Sequence, residues 1–259
     1  LPSKPSTRVR QMDQVIAFYR PLFESNITVD FVRPTDDLSG YRVVLAPSLY
    51  LVSDEAAANL ERFVEGGGTL VMSFFSGIVD VSDHIRLGGY PRPFQALLGL
   101  KVVDFRPLSD GQDIAVRFAD GTLARGEIWS EIIEPSGAEV VATFSGSDLA
   151  GRPAVTSHQS GSGTAFYMGT RPEPAAMARL LQIACSQAGV APAGQTPQGV
   201  EVVRRMAGKK PVLFLLNHRD VAVDVPIVAA GENLIDGAQI HPGLMRIEPR
   251  GVAVIREGW

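Results

Sequence analysis

The sequence predicts an α/β domain built on a parallel sheet, followed by a small all-β sandwich domain. Apolar strands alternate with a helix in the first third of the chain, which is typical of a parallel sheet. Residues after 199 hold only short alternating strands separated by Gly, Asn and Pro, which is typical of a sandwich. The Pro- and Gly-rich stretch 190–199 lies between them and reads as a linker. We therefore place the domains at 1–192 and 198–259.

The first elements follow from hydrophobic spacing. Apolar residues recur at helical intervals over residues 6–24, and Pro21 is expected to kink or restart that helix because proline lacks an amide donor. The β-branched run 27–32 predicts a strand. Residues 41–47 are apolar almost throughout, as expected of a parallel strand that is covered on both faces.

The next unit is a helix over residues 54–65, followed by an apolar strand over 69–74. Ser53 is a suitable N-cap, and Gly66 is expected to end the helix in a left-handed conformation. Gly66, Gly67 and Gly68 could also be read as a phosphate loop. Such loops follow a strand and begin a helix, whereas these glycines follow a helix and begin a strand, so a helix end and tight turn is favoured.

The rest of the chain divides into an antiparallel stretch, a returning strand and helix, and the sandwich. Predicted strands of the first stretch are 101–105, 114–118, 127–133 and 140–144. A strand over 163–170 and a helix over 173–188 complete the α/β domain. Predicted strands of the sandwich are 200–204, 212–217, 221–225, 244–247 and 252–255.

Composition excludes several classes of function. A net charge of −4 without a basic run argues against a nucleic-acid partner. The longest apolar run, 212–216, is far shorter than the ~20 residues of a membrane span. The lone Cys185 excludes an internal disulfide and a cysteine-based zinc cage, and we expect it to be buried. We expect no cofactor. The start at Leu1, without Met or a signal peptide, predicts a piece of a longer cytoplasmic protein.

Asp80, Asp83, His84 and Arg86 form the densest polar set, just before Tyr90. They follow a strand at its carboxyl end, where α/β sheets place ligand sites. Such residues could bind a metal or act as acid and base. The plainer alternative is that the aspartates cap turns and Arg86 pairs with one of them. A retaining glycosidase needs two carboxyls ~5–5.5 Å apart beside a sugar pocket, and nothing local builds one. We expect neither a metal nor a catalytic residue here.

The other polar candidates carry little chemistry. His158, His218 and His241 are scattered without ligand spacing, and His218 is expected to satisfy hydrogen bonds at a turn, as is its neighbour Asn217. Trp129 is either a packing anchor or a sugar platform.

Residues 73–77 resemble the nucleophile turn of class I glutamine amidotransferases, which implies a flavodoxin-like, amidotransferase-like sheet. That family has a cysteine at the turn and a later His-Pro-Glu. Here the turn lacks cysteine and the later tripeptide is Arg171-Pro172-Glu173, while Ser76 has no histidine placed to activate it. The resemblance implies the fold without the chemistry.

The block 75–91, after the glycine turn and its strand, resembles the trimerisation domain of family 42 β-galactosidases. Other runs resemble the same family in the same order: 29–34, 37–41, 46–51, 98–100, 104–105, 150–154, 199–205 and 214–218. The last two resemble the family's C-terminal β-domain. The resemblance therefore extends over essentially the whole chain.

This resemblance implies a non-catalytic part of a retaining β-galactosidase that hydrolyses terminal β-D-galactosides. The two catalytic glutamates belong to a barrel that this chain lacks, so we expect the chain to be inactive alone and to meet substrate only through that barrel. The first strand of the sheet is expected to lie outside the chain. The resemblance also implies a homotrimer formed through the α/β domain. The loop with Asp80, Asp83, His84, Arg86 and Tyr90 would then serve as an interface or close a neighbouring active site. The alternative is a free-standing amidotransferase-like hydrolase or ligand-binding protein.

Overall fold

A computed structural model describes residues 6–258 and divides into two compact units. The first holds the chain up to residue 18 together with residues 31–190, and the second holds residues 19–30 together with the chain from residue 191. The domain boundaries 1–192 and 198–259 remain a prediction, and the contacts group residues 19–30 with the second unit.

Helix α1 (Gln11–Glu24) opens the described chain and contributes its residues up to Phe18 to the first unit. The first unit otherwise contains β1 (Val43–Ala46), α2 (Asp54–Glu65), β2 (Thr69–Ser73), α3 (Gln95–Leu98), β3 (Leu100–Pro107), β4 (Asp113–Phe118), β5 (Leu123–Pro135), β6 (Glu139–Phe144), β7 (Pro153–Ser160), β8 (Gly163–Met168), β9 (Thr170–Pro172) and α4 (Pro174–Gln187). Short 3-10 turns lie at Arg92–Phe94 and Ser147–Leu149.

A parallel core of β1, β2 and β8 lies at one side of a nine-stranded mixed sheet. Every residue of β2 is buried, which explains the apolar run Leu70–Met72 at its centre. Helix α2 begins at Ser53, whose side chain accepts a hydrogen bond from the Ala56 amide. Its buried face, including Leu60 and Val64, packs with Leu70 of β2 in the main core.

The remaining strands are antiparallel and continue the same sheet in the order β8, β7, β6, β4, β5 and β3, while β9 pairs with β5. The predicted fold class is confirmed. Its parallel part is short, however, because the predicted antiparallel stretch supplies most of the strands.

Three local expectations in the first half are wrong. Residues 27–32 do not form a strand, because no neighbouring strand among residues 6–258 supplies a ladder for their backbone groups. Helix α1 begins at Gln11 and runs to Glu24 as one helix with Pro21 inside it, so the expected restart at Pro21 does not occur. The left-handed residue after α2 is Gly67, at φ 107°, whereas Gly66 has φ −76°.

The second unit is a sandwich, as predicted. Its strands are β10 (Val200–Ala207), β11 (Lys210–Asn217), β12 (Val223–Ile227), β13 (Gly231–Asn233), β14 (Gln239–Ile240), β15 (Gly243–Ile247) and β16 (Val252–Glu257). A five-stranded and a two-stranded antiparallel sheet share one core, in which Val202 and Ile255 of the larger sheet lie with Val225 and Ile247 of the smaller.

The linker is bound within the second unit by Asn26. The Asn26 side-chain amide donates to the Thr196 hydroxyl at 2.8 Å and to the Gly194 carbonyl at 3.3 Å. Its oxygen accepts from the Val202 amide at 3.0 Å, and its backbone carbonyl accepts from Ala193 at 2.8 Å. This segment is therefore tethered at several points by residues of its own unit.

Candidate functional site

The candidate site is the segment that leaves β2 at its carboxyl end, residues 74–91, here called the elbow loop. Its first turn places Phe75 at φ 60° and Gly77 at φ 61°. A left-handed backbone is rare for a bulky residue and marks strain. At Gly77 a Cβ atom would lie 3.1 Å from the rings of Pro91 and Pro93, so the turn also packs closely against the end of the loop.

Stacked aromatic rings form the base of the elbow. The Phe75 ring lies 5.0 Å from Tyr50 and 5.3 Å from Trp129, measured between centroids. Trp129 also stacks on Phe74 at 5.7 Å and on Phe105 at 4.9 Å. Because Trp129 is 1% exposed, it is a packing anchor and not a sugar platform.

The tip of the loop is a short hairpin held by Asp80. One oxygen of Asp80 accepts from the Ser82 amide at 2.8 Å and from the His84 amide at 3.0 Å. These backbone hydrogen bonds hold the pKa of the Asp80 carboxyl below its ordinary value. The Arg86 amide donates to the Ile78 carbonyl at 2.9 Å and closes the hairpin. Asp80 is thus a turn-capping residue, as the plainer sequence interpretation held.

Arg86 fixes the hairpin to the start of α2. Its guanidinium donates to the Val52 carbonyl at 2.8 Å and to the Asp54 carboxylate at 2.7 Å, and its side chain is 18% exposed. The expectation that Arg86 pairs with Asp80 or Asp83 is wrong. Asp54 lies in the first turn of α2, where an acidic residue is favourable. At that position its carboxylate is within hydrogen-bond distance of Arg86.

The remaining predicted residues do not converge on one point. Asp83 hydrogen-bonds Tyr50, and burial together with this carboxylate raises the pKa of the Tyr50 hydroxyl. His84 Nδ1 lies 3.6 Å from Asp80 Oδ2, and Tyr90 pairs its backbone with Val102. Across residues 6–258 no three His, Cys, Asp or Glu side chains are grouped to hold a metal ion.

Sequence reasoning missed the apolar side chains at the tip. Val81 and Ile85 are largely exposed, and Leu87 is 86% exposed. Val81 and Ile85 belong to the hairpin and Leu87 follows it, so this segment exposes apolar side chains beside Asp80, Asp83 and His84. The sequence shows these apolar residues next to the acidic ones, but only the polar residues were considered as candidates for binding or catalysis.

A buried carboxylate beneath the elbow was also missed. Glu131 of β5 accepts from Trp129 Nε1 at 3.0 Å, from the Tyr167 hydroxyl at 2.8 Å and from the Phe75 amide at 3.4 Å. Burial raises its pKa to about 7, although these hydrogen bonds act in the opposite direction. A single acid inside the apolar run Ile-Trp-Ser-Glu-Ile-Ile was the signal that could have found it.

Residues 73–77 resemble the amidotransferase turn in backbone but not in side-chain chemistry. Phe75, not Ser76, occupies the strained position, and the Ser76 hydroxyl donates to the Ser73 carbonyl at 2.7 Å while accepting from the Leu49 amide at 2.9 Å. In the later tripeptide, Arg171 pairs with Glu127. Its Glu173 pairs with Arg125. All these polar groups are engaged in structural contacts.

The glycine turn at the opposite end of β2 is not an anion site. The amides of Gly66, Gly67 and Gly68 donate to the carbonyls of Arg62, Val64 and Phe63, so none of them points at a ligand. This confirms the prediction of a helix end. A cavity of about 570 Å³ lies beside the turn, but its arginines, Arg42 and Arg62, each bond a group of the chain itself.

His158, His218 and Asn217 make structural contacts. His158 Nδ1 lies 2.9 Å from the Leu97 carbonyl, and the His218 side chain pairs with Glu201 at 2.8 Å. The Asn217 amide donates to carbonyls around its turn, as predicted, and Cys185 is free and buried, as predicted.

The family of the chain follows from its sequence taken as a whole. Residues 2–191 match the model described as β-galactosidase trimerisation domain, and residues 199–257 match the β-galactosidase C-terminal domain. This chain belongs to the family 42 β-galactosidases. Within that family it corresponds only to the trimerisation and C-terminal regions, which are non-catalytic. The predicted family and its predicted regions are confirmed.

Relatives in the family are substantially longer. The β-galactosidase BgaB of Geobacillus sp. (strain Y412MC61) is 41% identical over 259 residues, which is 99% of this chain and 38% of that protein. A β-galactosidase of Arthrobacter sp. is 41% identical over 256 residues, 98% of this chain and 36% of that protein. The chain therefore spans about two fifths of the length of the curated relatives it matches.

Solved structures of the family share the fold. The β-galactosidase of Bacillus circulans sp. alkalophilus superposes with a TM-score of 0.95 at 30% identity, covering 99% of this chain and 39% of that one. Gan42B, a GH42 β-galactosidase from G. stearothermophilus, gives a TM-score of 0.90 at 29% identity, covering 98% and 37%. Among residues 6–258 no helix has both the length and the hydropathy of a membrane span.

Proposed function

We propose that this chain is the assembly portion of a β-galactosidase that hydrolyses terminal β-D-galactosides. In this proposal the α/β unit forms a homotrimer and the elbow loop contacts the neighbouring subunit. The chain itself performs no bond cleavage, and galactoside is bound by the catalytic barrel of the parent enzyme. A cytoplasmic parent enzyme is part of this proposal.

The observation that carries this proposal is an apolar tip on an anchored hairpin. Exposed apolar side chains on a mobile loop would be unremarkable, whereas Val81 and Leu87 belong to a loop that is fixed by Asp80 within its hairpin and by Arg86 to α2. Preorganised apolar surface with a polar rim is typical of protein interfaces, because little ordering entropy is lost on association. The family's description as a trimerisation domain supports a copy of the same chain as the partner.

The rim gives the loop a second role in this proposal. Asp80, Asp83 and His84 lie beside the exposed Val81 and Ile85 of the hairpin and form its polar rim, and a three-fold contact is heterologous, so they face a different surface of the next subunit. We propose that this rim helps to close the neighbouring active site. Arg86 supports the rim indirectly, because its ion pair with Asp54 fixes the hairpin to α2.

Light scattering over a concentration series tests the assembly role. We expect the 259-residue chain to form trimers, and we expect Val81→Ser combined with Leu87→Ser to raise the dissociation constant about tenfold or more, since each buried apolar side chain contributes about 1.5–3 kcal/mol. The matched control is Val228→Ser, an equally exposed apolar residue in the second unit at 79%. A monomer at every concentration, or equal association of the double variant and the control, would contradict the proposal.

A further inference from the structure

Glu131 lies beneath the elbow and accepts hydrogen bonds from three donors. It is 2% exposed and receives hydrogen bonds from Trp129 Nε1, the Tyr167 hydroxyl and the Phe75 amide. An ionised carboxylate accepts all three, whereas a protonated carboxyl must donate a hydrogen of its own. These three donors favour the charged form, whereas burial in an apolar core opposes it.

The three donors belong to three different parts of the unit. Trp129 lies on β5 with Glu131, Tyr167 lies on β8, and Phe75 is the left-handed residue of the elbow. The hydrogen bond to the Phe75 amide links the strained residue to β5, beside the bond that the Phe74 amide donates to the Met168 carbonyl of β8. A bulky residue keeps such a backbone only where its surroundings hold it there.

We propose that Glu131 is a positioning residue whose ionised carboxylate holds the Phe75 elbow, and with it the elbow loop, at the expense of overall stability. Protonation loosens this hold, because a neutral carboxyl forms weaker hydrogen bonds than a charged one. The contact between Glu131 and Phe75 does not depend on assembly, and only its consequence for trimer formation rests on the proposed function.

Burial places the change in charge of Glu131 near neutral pH. Burial raises the pKa of Glu131 to about 7, and the hydrogen bonds from Tyr167, Trp129 and Phe75 lower it only in part. The elements packed against Glu131 present Phe75, Trp129, Tyr167 and, from β3, its register partner Phe105. Tyr167 is the titratable member of this set, and its hydroxyl stays protonated because burial and the carboxylate raise its pKa. No charged side chain among residues 6–258 contributes to the pKa of Glu131.

The indole signal of Trp129 reports the state of Glu131 directly. In the 259-residue chain carrying Trp259→Phe, one indole N–H resonance remains, and we expect its shift to follow pH with a midpoint near 7. The same resonance should stay constant with pH once Glu131→Gln is added, and should titrate normally with Glu134→Gln, an exposed acid on the same strand. A resonance that does not titrate between about pH 5.5 and 8.5, or that titrates equally in Glu131→Gln, would overturn the proposal.

Hydrogen exchange separates positioning from stability. At pH 8 we expect Glu131→Gln to speed amide exchange at residues 74–77 roughly fivefold, since a charge-assisted bond is replaced by a neutral one, while exchange in α2 is not accelerated. Uniform acceleration throughout the unit, or none at residues 74–77, would show that Glu131 does not position the elbow. A chain that is monomeric but gives the expected titration and exchange would refute the assembly role of the loop and leave the role of Glu131 intact.

Discussion

The two ends of strand β2 differ in how their polar groups are satisfied. At the amino end, the amides of Gly66, Gly67 and Gly68 close the end of α2 in a short turn. At the carboxyl end, the chain enters a long loop through the strained Phe75, above the buried Glu131. Only the second end keeps features that oppose stability, and such features persist where they serve function. The glycine motif at the amino end, which resembles a phosphate loop in sequence, is therefore structural. The aromatic turn at the carboxyl end is the candidate site.

The largest expected effect concerns the pH dependence of stability at the carboxyl end. Because the pKa of Glu131 is about 7 in the folded chain and ordinarily 4.5, the folded chain retains a proton that the unfolded chain has released between these values. The stability contributed by this proton is fully present below about pH 4.5 and is lost as the pH rises to 7, a loss of about 3 kcal/mol. Urea unfolding of Glu131→Gln should therefore show a stability that exceeds wild type at pH 8.

The control for this prediction is Glu134→Gln, which removes an exposed acid from the same strand. The difference in unfolding free energy between wild type and Glu131→Gln should narrow towards acid pH, whereas the difference for Glu134→Gln should stay small throughout. A pH-independent difference at Glu131 would mean that the buried carboxyl does not change its charge over this range.

The next effect concerns packing at the amino end. A Cβ on Gly163 would lie 2.1 Å from the Val64 carbonyl oxygen and 2.2 Å from that of Gly68, so Gly163→Ala forces backbone apart. We expect a loss of about 1–3 kcal/mol in thermal or urea unfolding. Gly40→Ala, where nothing lies within 4 Å of the added Cβ, is the matched control and should change stability little. Equal stability of the two variants would show that the amino end is not tightly packed.

The smallest effect concerns the anchor of the loop. Asp54→Asn removes the charge that binds Arg86, and we expect a loss of under about 1 kcal/mol, since the Asp54 carboxylate is solvent-exposed. Glu55→Gln removes a charge from the same helical turn without touching Arg86 and controls for the helix dipole. Hydrogen exchange should accelerate at residues 78–86 in Asp54→Asn alone. Identical exchange in both variants would show that the pair of Arg86 with Asp54 does not anchor the hairpin.

Local signals in the sequence were sufficient for several elements. Ser53 and the helical spacing after it predicted α2 to the residue, because an N-cap and a one-sided apolar face are properties of neighbouring residues. The strand predicted at 27–32 failed for the opposite reason. Its β-branched residues favour an extended backbone, but a strand exists only where another segment completes its hydrogen bonds.

At the candidate site the sequence supplied the loop and its family, but not the contacts that shape it. The cap formed by Asp80 was predictable, since its partners lie two and four residues away. The pairing of Arg86 with Asp54 joins residues 32 positions apart, so sequence spacing favoured the nearer aspartates.

The sequence by itself therefore determined the fold class, the family, the capped helix α2 and the loop that follows β2. These rest on periodicity, caps and matching runs of residues, which are written along the chain. Only the tertiary structure decided that Phe75 is strained, that Glu131 lies beneath it, and that Leu87 is exposed beside an anchored hairpin. Burial and strain depend on which distant segments fold against a residue, and the sheet brings together strands that are far apart in sequence.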